Sequence, residues 1–168
     1  MASFATDDIP DLTGRRAIVT GANSGTGFET AKALAAKGAD VIVAARSHDR
    51  AMAAIADIKA QQPDARLRFE ELDLSRQASV TAFAERMLAE GRPIDILVNN
   101  AGVMALPARR ETEDGFEMQL ATNYLGHFAL TGRLLPLLQA GTARVVQVSS
   151  IAHRQGRIRL DDLNYTQG

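Results

Sequence analysis

The chain has 168 residues, 46% hydrophobic and 23% charged, with a formal net charge of -1 at pH 7. That is enough chain for one domain with its own core, and the even charge gives no electrostatic reason to expect nucleic acid or an anionic membrane as partner. Cysteine is absent and His48, His127 and His153 lack metal-ligand spacing, which excludes disulfides and thiolate metal sites, leaves no metal expected and suits a cytoplasmic protein. The acidic stretch 1–11 has no apolar core of a signal peptide. No apolar run approaches the roughly 20 residues that span a bilayer.

Residues 16–20 predict a first strand, and 25–37 predict a helix with Phe28, Ala31, Leu34 and Ala35 on its inner face, ended by Gly38. Residues 40–45 predict strand two, centred on Val41-Ile42-Val43. Ser47 is placed to cap a helix running to about Gln61, with Met52, Ile55 and Ile58 inward. A shorter strand is expected over 66–71, then a helix over 75–90 with Val80, Phe83, Ala84, Met87 and Leu88 facing in, then strand four over 94–99. A loop over 100–114 precedes one long helix traced by Phe116, Leu120, Tyr124, His127, Phe128, Leu134 and Leu135. Residues 143–149 predict strand five. Apolar runs without alternation imply strands covered on both faces, hence a parallel sheet between helical layers. After Ser150 the chain is polar, so strand five is expected at an open edge, an aggregation hazard that predicts poor solubility.

The chemistry concentrates where strand one meets its helix, at Thr20-Gly21-Ala22-Asn23-Ser24-Gly25-Thr26-Gly27. Gly21 permits the sharp exit from the strand. Gly25 and Gly27 keep side chains away from backbone N–H groups, and the following helix start adds partial positive charge, so the turn fits a pyrophosphate, with Asn23, Ser24 and Thr26 as further candidate cofactor-binding residues. No Lys-Ser or Lys-Thr follows, which argues against a triphosphatase loop. The alternative is a glycine-rich turn that binds nothing. At the end of strand two, where an acid would accept from an adenosine ribose, stands Arg46 followed by Ser47. An arginine there suits a 2′-phosphate, predicting NADP(H) over NAD(H), unless Arg46 is only a solvated helix-start residue.

Further along stand Asp73, between Leu72 and Leu74, then Asn99-Asn100-Ala101-Gly102, Asn123 and Val148-Ser149-Ser150. In this order, with the glycine turn, these motifs resemble the short-chain dehydrogenase/reductases over nearly the whole chain from Leu12. The stretches 123–128 and 145–153, with Asp161-Asp162-Leu163-Asn164, resemble the retinol-dehydrogenase-like branch. The resemblance implies a Rossmann-type doubly wound sheet of about five strands in the order 3-2-1-4-5, in a single NAD(P)-binding domain over 1–168. It implies that Asp73 and Leu74 lie at the adenine, although Asp73 equally suits a helix cap. It puts Asn100, Ala101 and Gly102 beside a ribose, although the asparagines also suit tying loops to the sheet. Ser150 then matches the serine that polarises a substrate carbonyl, and Asn123 the asparagine that organises a water near the catalytic lysine. His127 reads as a packed residue, not a base.

The family's proton transfer needs a Tyr-x-x-x-Lys pair beyond the serine. Lysine occurs only at 32, 37 and 59, and Tyr165 has no residue four positions on. Tyr165 is therefore expected on a surface loop, and the domain is expected to be incomplete at its carboxyl end. Two readings follow. The chain is a fragment of an NADP-dependent oxidoreductase acting on a small carbonyl or alcohol, a parent for which a homo-oligomer is open, and is inactive alone. Otherwise it is a nucleotide-binding module acting as a sensor or interaction domain.

Overall fold

The computed structural model describes residues 5–167; residues 1–4 of the acidic stretch and Gly168 lie outside them. Strands β1 (Arg16–Thr20), β2 (Asp40–Ala45), β3 (Arg66–Glu71), β4 (Ile96–Asn99) and β5 (Arg144–Gln147) form one sheet in the order β3-β2-β1-β4-β5, with every pairing parallel. The crossovers carry α1 (Gly25–Ala36), α2 (His48–Gln61) and α3 (Gln77–Glu90). Between β4 and β5 lie a single turn α4 (Met118–Leu120), a π-helical segment (Ala121–Leu125) and α5 (Gly126–Gln139). This is the Rossmann-type order expected.

Successive strand residues point to opposite faces, and the two faces have different cores. Ala17, Val19, Val41, Val43 and Val98 pack with Ala31 and Ala35 of α1 and Ile55 and Ile58 of α2. Ile18, Ile42 and Leu97 pack with Phe83 and Met87 of α3 and Leu130 and Leu134 of α5. Burying each of these larger side chains contributes about 1.5–3 kcal/mol. The small residues of α1 let that helix lie close to the sheet beneath the glycine turn.

The structure corrects several details. Met52 and Leu88 are exposed, because each stands at the margin of its helix's apolar stripe while Ala51, Ala54 and Ala84 fill the inner positions. The helix expected from Ser75 begins at Gln77, where the backbone N–H donates to Asp114 Oδ2 at 2.7 Å. The expected long helix is instead α4, a π turn and α5. In the π segment the Gly126 N–H reaches back five residues to Ala121, so a 3.6-residue period cannot track the face across it. Tyr124 of the π segment faces outward, as do Phe128 and Leu135, which lie beside the buried face of α5 formed by His127, Leu130 and Leu134; the Tyr124 and Phe128 rings stack at 6.2 Å. β4 and β5 are each shorter than expected, by two and three residues, the difference between 94–99 and 96–99, and between 143–149 and 144–147.

β1 is flanked by two buried polar residues. At its amino end the Arg16 guanidinium, 1% exposed, pairs with Glu90 of α3 and donates to the Arg92 carbonyl at 3.3 Å. Glu90 also takes Arg68 of β3 at 2.8 Å, and the Arg16 N–H donates to Asp95 Oδ2 at 2.8 Å. At its carboxyl end stands Thr20, wholly buried. The two edges of the sheet differ as well. β3 keeps Leu67 buried, whereas all four residues of β5 are exposed, as is Val148 beyond it.

Candidate functional site

In a doubly wound sheet, ligands sit beyond the carboxyl ends of the strands, where the strand order reverses. Here that point lies between β1 and β4, and a cleft of about 360 Å³ opens there. It brings together most of the residues singled out from the sequence: Gly21, Asn23, Ser24, Thr26 and Gly27 from the turn, Arg46 and Ser47 after β2, Asp73 and Leu74 after β3, and Asn100, Ala101 and Gly102 after β4. Gly25 is not among its lining residues. Asn123 reaches the cleft through its neighbour Val103, and Ser150 lies past the end of β5, outside the lining.

The turn is built by close approach. Gly21 has φ +66, and its N–H donates to the Ala44 carbonyl at 2.8 Å. A Cβ on Gly21 would stand 2.9 Å from the Ala101 Cα, and one on Gly27 would stand 2.4 Å from Asn100 Nδ2. Both glycines therefore serve to press the turn against loop 100–103. Gly25, at φ +57, has nothing within 4 Å of the Cβ position, so the space over the start of α1 stays open. Ser24 is the N-cap of α1 and makes no side-chain cap bond, and the first N–H groups of a helix have no acceptor within it. Open backbone donors and a positive helix end make a cradle that fits a pyrophosphate.

The far wall carries cations. Arg46 and Arg50 both line the cleft, and the lining includes one acid, Asp73. Asp49, the acid between the arginines, pairs with His48 at 3.1 Å. Ser47 is the N-cap of the 14-residue α2 and makes no side-chain cap bond, leaving its hydroxyl uncommitted at a second positive helix end. Arg50 was not singled out from the sequence. Its signal was present: it follows the cap residue by three positions, about one helical turn from Arg46.

Asp73 is not the N-cap of α3, which is Arg76. Its Oδ1 instead accepts from the Ser75 N–H at 3.0 Å and hydroxyl at 2.7 Å, closing the turn after β3. Asn100 ties its loop to the sheet, whereas Asn99 ties β4 to α5. Asn99 Nδ2 donates to Thr131 Oγ1 at 3.0 Å, and Asn100 Nδ2 to the Thr20 carbonyl at 2.8 Å. Asn123, in the π segment, clamps the loop with both amide atoms: Oδ1 accepts from the Val103 N–H and Nδ2 donates to the Val103 carbonyl, each at 2.8 Å. His127 is packed, 4% exposed, and burial pushes its pKa down against the opposing pull of the Asn123 carbonyl. Ser150 caps a 3₁₀ turn, Ile151–Arg154, its Oγ accepting from the Ala152 N–H at 3.2 Å. Tyr165 lies on the surface, its ring under the Arg159 guanidinium at 4.8 Å. Among the described residues no helix is long and apolar enough to cross a membrane, and no group of His, Cys, Asp or Glu could hold a metal.

Comparison with known proteins gives a consistent picture. Residues 15–161 match the family model of short chain dehydrogenases. Retinol dehydrogenase 13 of Mus musculus is 46% identical over 155 residues, covering 92% of this chain and 46% of the relative. A solved structure of an uncharacterized protein from Mycobacterium Paratuberculosis superposes with a TM-score of 0.86 at 44% identity, over 99% of this chain and 57% of that one. Another, described as a short chain dehydrogenase from Escherichia coli CFT073 complexed with NADPH, superposes with a TM-score of 0.73 at 28% identity, over 88% and 63%. The chain spans about half the length of the curated relatives it matches.

Proposed function

The chain belongs to the short-chain dehydrogenase family, in its retinol-dehydrogenase-like branch, and on that premise we propose that its cleft binds NADP(H) in preference to NAD(H). The observation that carries the preference is the pair Arg46, just past β2, and Arg50, in the first turn of α2, on the wall where an acid would hold a ribose 2′-hydroxyl. A guanidinium there gives a 2′-phosphate a charge-assisted partner. The Ser47 hydroxyl and the start of α2 stand beside it. The start of α1 would hold the pyrophosphate, Asp73 and Leu74 would border the adenine, and loop 100–102 would border a ribose. The solved Escherichia coli relative that carries NADPH is consistent with this assignment.

The same reading makes the chain the nucleotide-binding part of an oxidoreductase acting on a small carbonyl or alcohol. When bound, the nicotinamide supplies or accepts the hydride. Ser150 supplies a hydroxyl whose oxygen accepts from Ala152, so its proton is left to donate to a substrate oxygen and stabilise charge developing there. The 168 residues contain no Tyr-x-x-x-Lys pair, so we expect them to bind cofactor without turning over an alcohol or ketone.

Titration of the purified chain with NADPH and NADH, read by nicotinamide fluorescence, tests the preference. NADPH should bind more tightly. Arg46→Asp should cut the ratio of affinities by about 10- to 150-fold, the equivalent of about 1.5–3 kcal/mol for a hydrogen bond to a charged group. An unchanged ratio would overturn the assignment, and steady turnover by the chain would overturn the expected inactivity.

A further inference from the structure

The buried histidine of α5 does more than fill space. Thr20 Oγ1 accepts two backbone donors, the N–H groups of Asn100 and Ala101, each at 2.9 Å. A hydroxyl oxygen has two lone pairs, so both are taken. The Thr20 proton has two acceptors in reach: His127 Nε2 at 2.9 Å and the Val98 carbonyl at 3.3 Å. A hydrogen on Nε2 would aim a third donor at an oxygen with no lone pair left, so the shorter contact requires a bare Nε2. On the other side of the ring, Nδ1 lies 3.3 Å from the Asn123 carbonyl, which only accepts. That contact requires a hydrogen on Nδ1. The two requirements select the same neutral tautomer, and burial favours the neutral ring.

We infer that His127, held as the Nδ1–H tautomer, is a positioning residue that links the end of β1 to Asn123 and so fixes loop 100–103 against the glycine turn. The hydrogen bonds run in one direction: from Asn100 and Ala101 into Thr20, from Thr20 into His127, and from His127 into the Asn123 backbone. The Asn123 side chain closes the circuit by gripping Val103 with both of its polar atoms. Loop 100–103 is thus held at its start by Thr20 and at its end by Asn123, and His127 joins the two holders. The absent Cβ atoms of Gly21 and Gly27 leave Ala101 and Asn100 in direct contact with the turn, so a displaced loop displaces the cradle. The effect on cofactor affinity rests on the NADP(H) reading above; the tautomer does not.

The test uses the 168-residue chain labelled with ¹⁵N-histidine. Long-range ¹H–¹⁵N spectra report which ring nitrogen carries the hydrogen, and His127→Gln assigns the signal by its loss. The expected result at pH 7.5 is one tautomer with Nδ1 protonated and Nε2 bare. Thr20→Val, which removes the donor to Nε2, should shift the Nε2 signal or admit the second tautomer. His127→Phe should weaken NADPH binding by about 3- to 10-fold, the range of one neutral hydrogen bond, and His127→Gln, which keeps an acceptor toward Thr20, should recover part of the loss. An Nε2–H tautomer, averaged signals of the kind an unfolded imidazole gives, or an Nε2 signal indifferent to Thr20→Val would overturn the inference. If the unsubstituted chain binds no NADPH, the cofactor reading fails, and the tautomer signal from the same sample still decides this one.

Discussion

The two ends of β1 solve the same problem with different chemistry. Each places a polar side chain in the interior beside Ala17-Ile18-Val19. At the amino end the solution is charge: Arg16 meets Glu90, which Arg68 shares, and Asp95 takes the Arg16 N–H and the Arg15 guanidinium. At the carboxyl end the solution is neutral: Thr20, His127, Asn123 and the backbone of loop 100–103. Neutral bonds suit the end that faces the cleft, because a fixed charge there would compete with Arg46 and Arg50 for an anionic ligand. The amino end lies outside the cleft lining, where ion pairs serve cohesion.

The comparison breaks most severely at the charged end. Glu90→Ala would leave the Arg16 guanidinium buried without its carboxylate, and we expect about 3 kcal/mol of lost stability, the lower end for such a deletion because Glu90 is itself partly exposed. Urea unfolding measures it. A loss below about 0.5 kcal/mol would mean that the Arg92 carbonyl alone suffices.

Acid should sharpen the same contrast. Burial alone would raise the Glu90 and Asp95 carboxyls, yet the Arg68 and Arg16 guanidiniums hold Glu90 below its ordinary range, and the Arg16 N–H with the Arg15 guanidinium does the same for Asp95. Groups lowered on folding contribute stability that is complete above their unfolded values, about 4.3 for Glu and 3.9 for Asp, and that is lost as pH falls through the lowered ones. Melting temperature should therefore fall below about pH 4.5. Glu90→Gln should be less stable at neutral pH and show a shallower decline; a parallel decline would refute the attribution.

At the neutral end, Gly27→Ala places a methyl against Asn100 and the Gly21 carbonyl. We expect a cost of about 1–3 kcal/mol, as for an overpacked core, with weaker NADPH binding, whereas Gly132→Ala on α5, where nothing lies within 4 Å, should not weaken binding. Equal effects at both positions would remove the close-packing argument. The smallest effect is expected at Ser47. Its side chain makes no cap bond, so Ser47→Ala should cost less than about 0.5 kcal/mol where a bonded cap costs about 1, and its consequence should appear in NADPH affinity instead.

The sheet was legible in the sequence because buried parallel strands read as short unbroken apolar runs, and Val41-Ile42-Val43 has no helical period to confuse it. The cleft was legible because its residues end those runs. Legibility failed where the period itself changes. The π segment adds a residue to one turn, so the face carrying Tyr124 and Phe128 is displaced from where a 3.6-residue count puts it. It failed also where a contact is made by polar atoms far apart in the chain. No pattern near residue 20 announces that Thr20 will meet His127.

Parallel pairing also gives this molecule a timetable. β1 meets β2 after 24 residues, but its other neighbour, β4, begins pairing with Ala17 at Ile96, 79 residues later. At a synthesis rate of about 5–20 residues per second, one flank of β1 waits about 4–16 s for its partner to be made. His127 follows Thr20 by 107 residues, so the glycine turn meets Ala44, Asn100 and Ala101 well before the histidine is made. A nascent chain halted short of α5 would carry both holders of loop 100–103, Thr20 and Asn123, without the histidine that joins them.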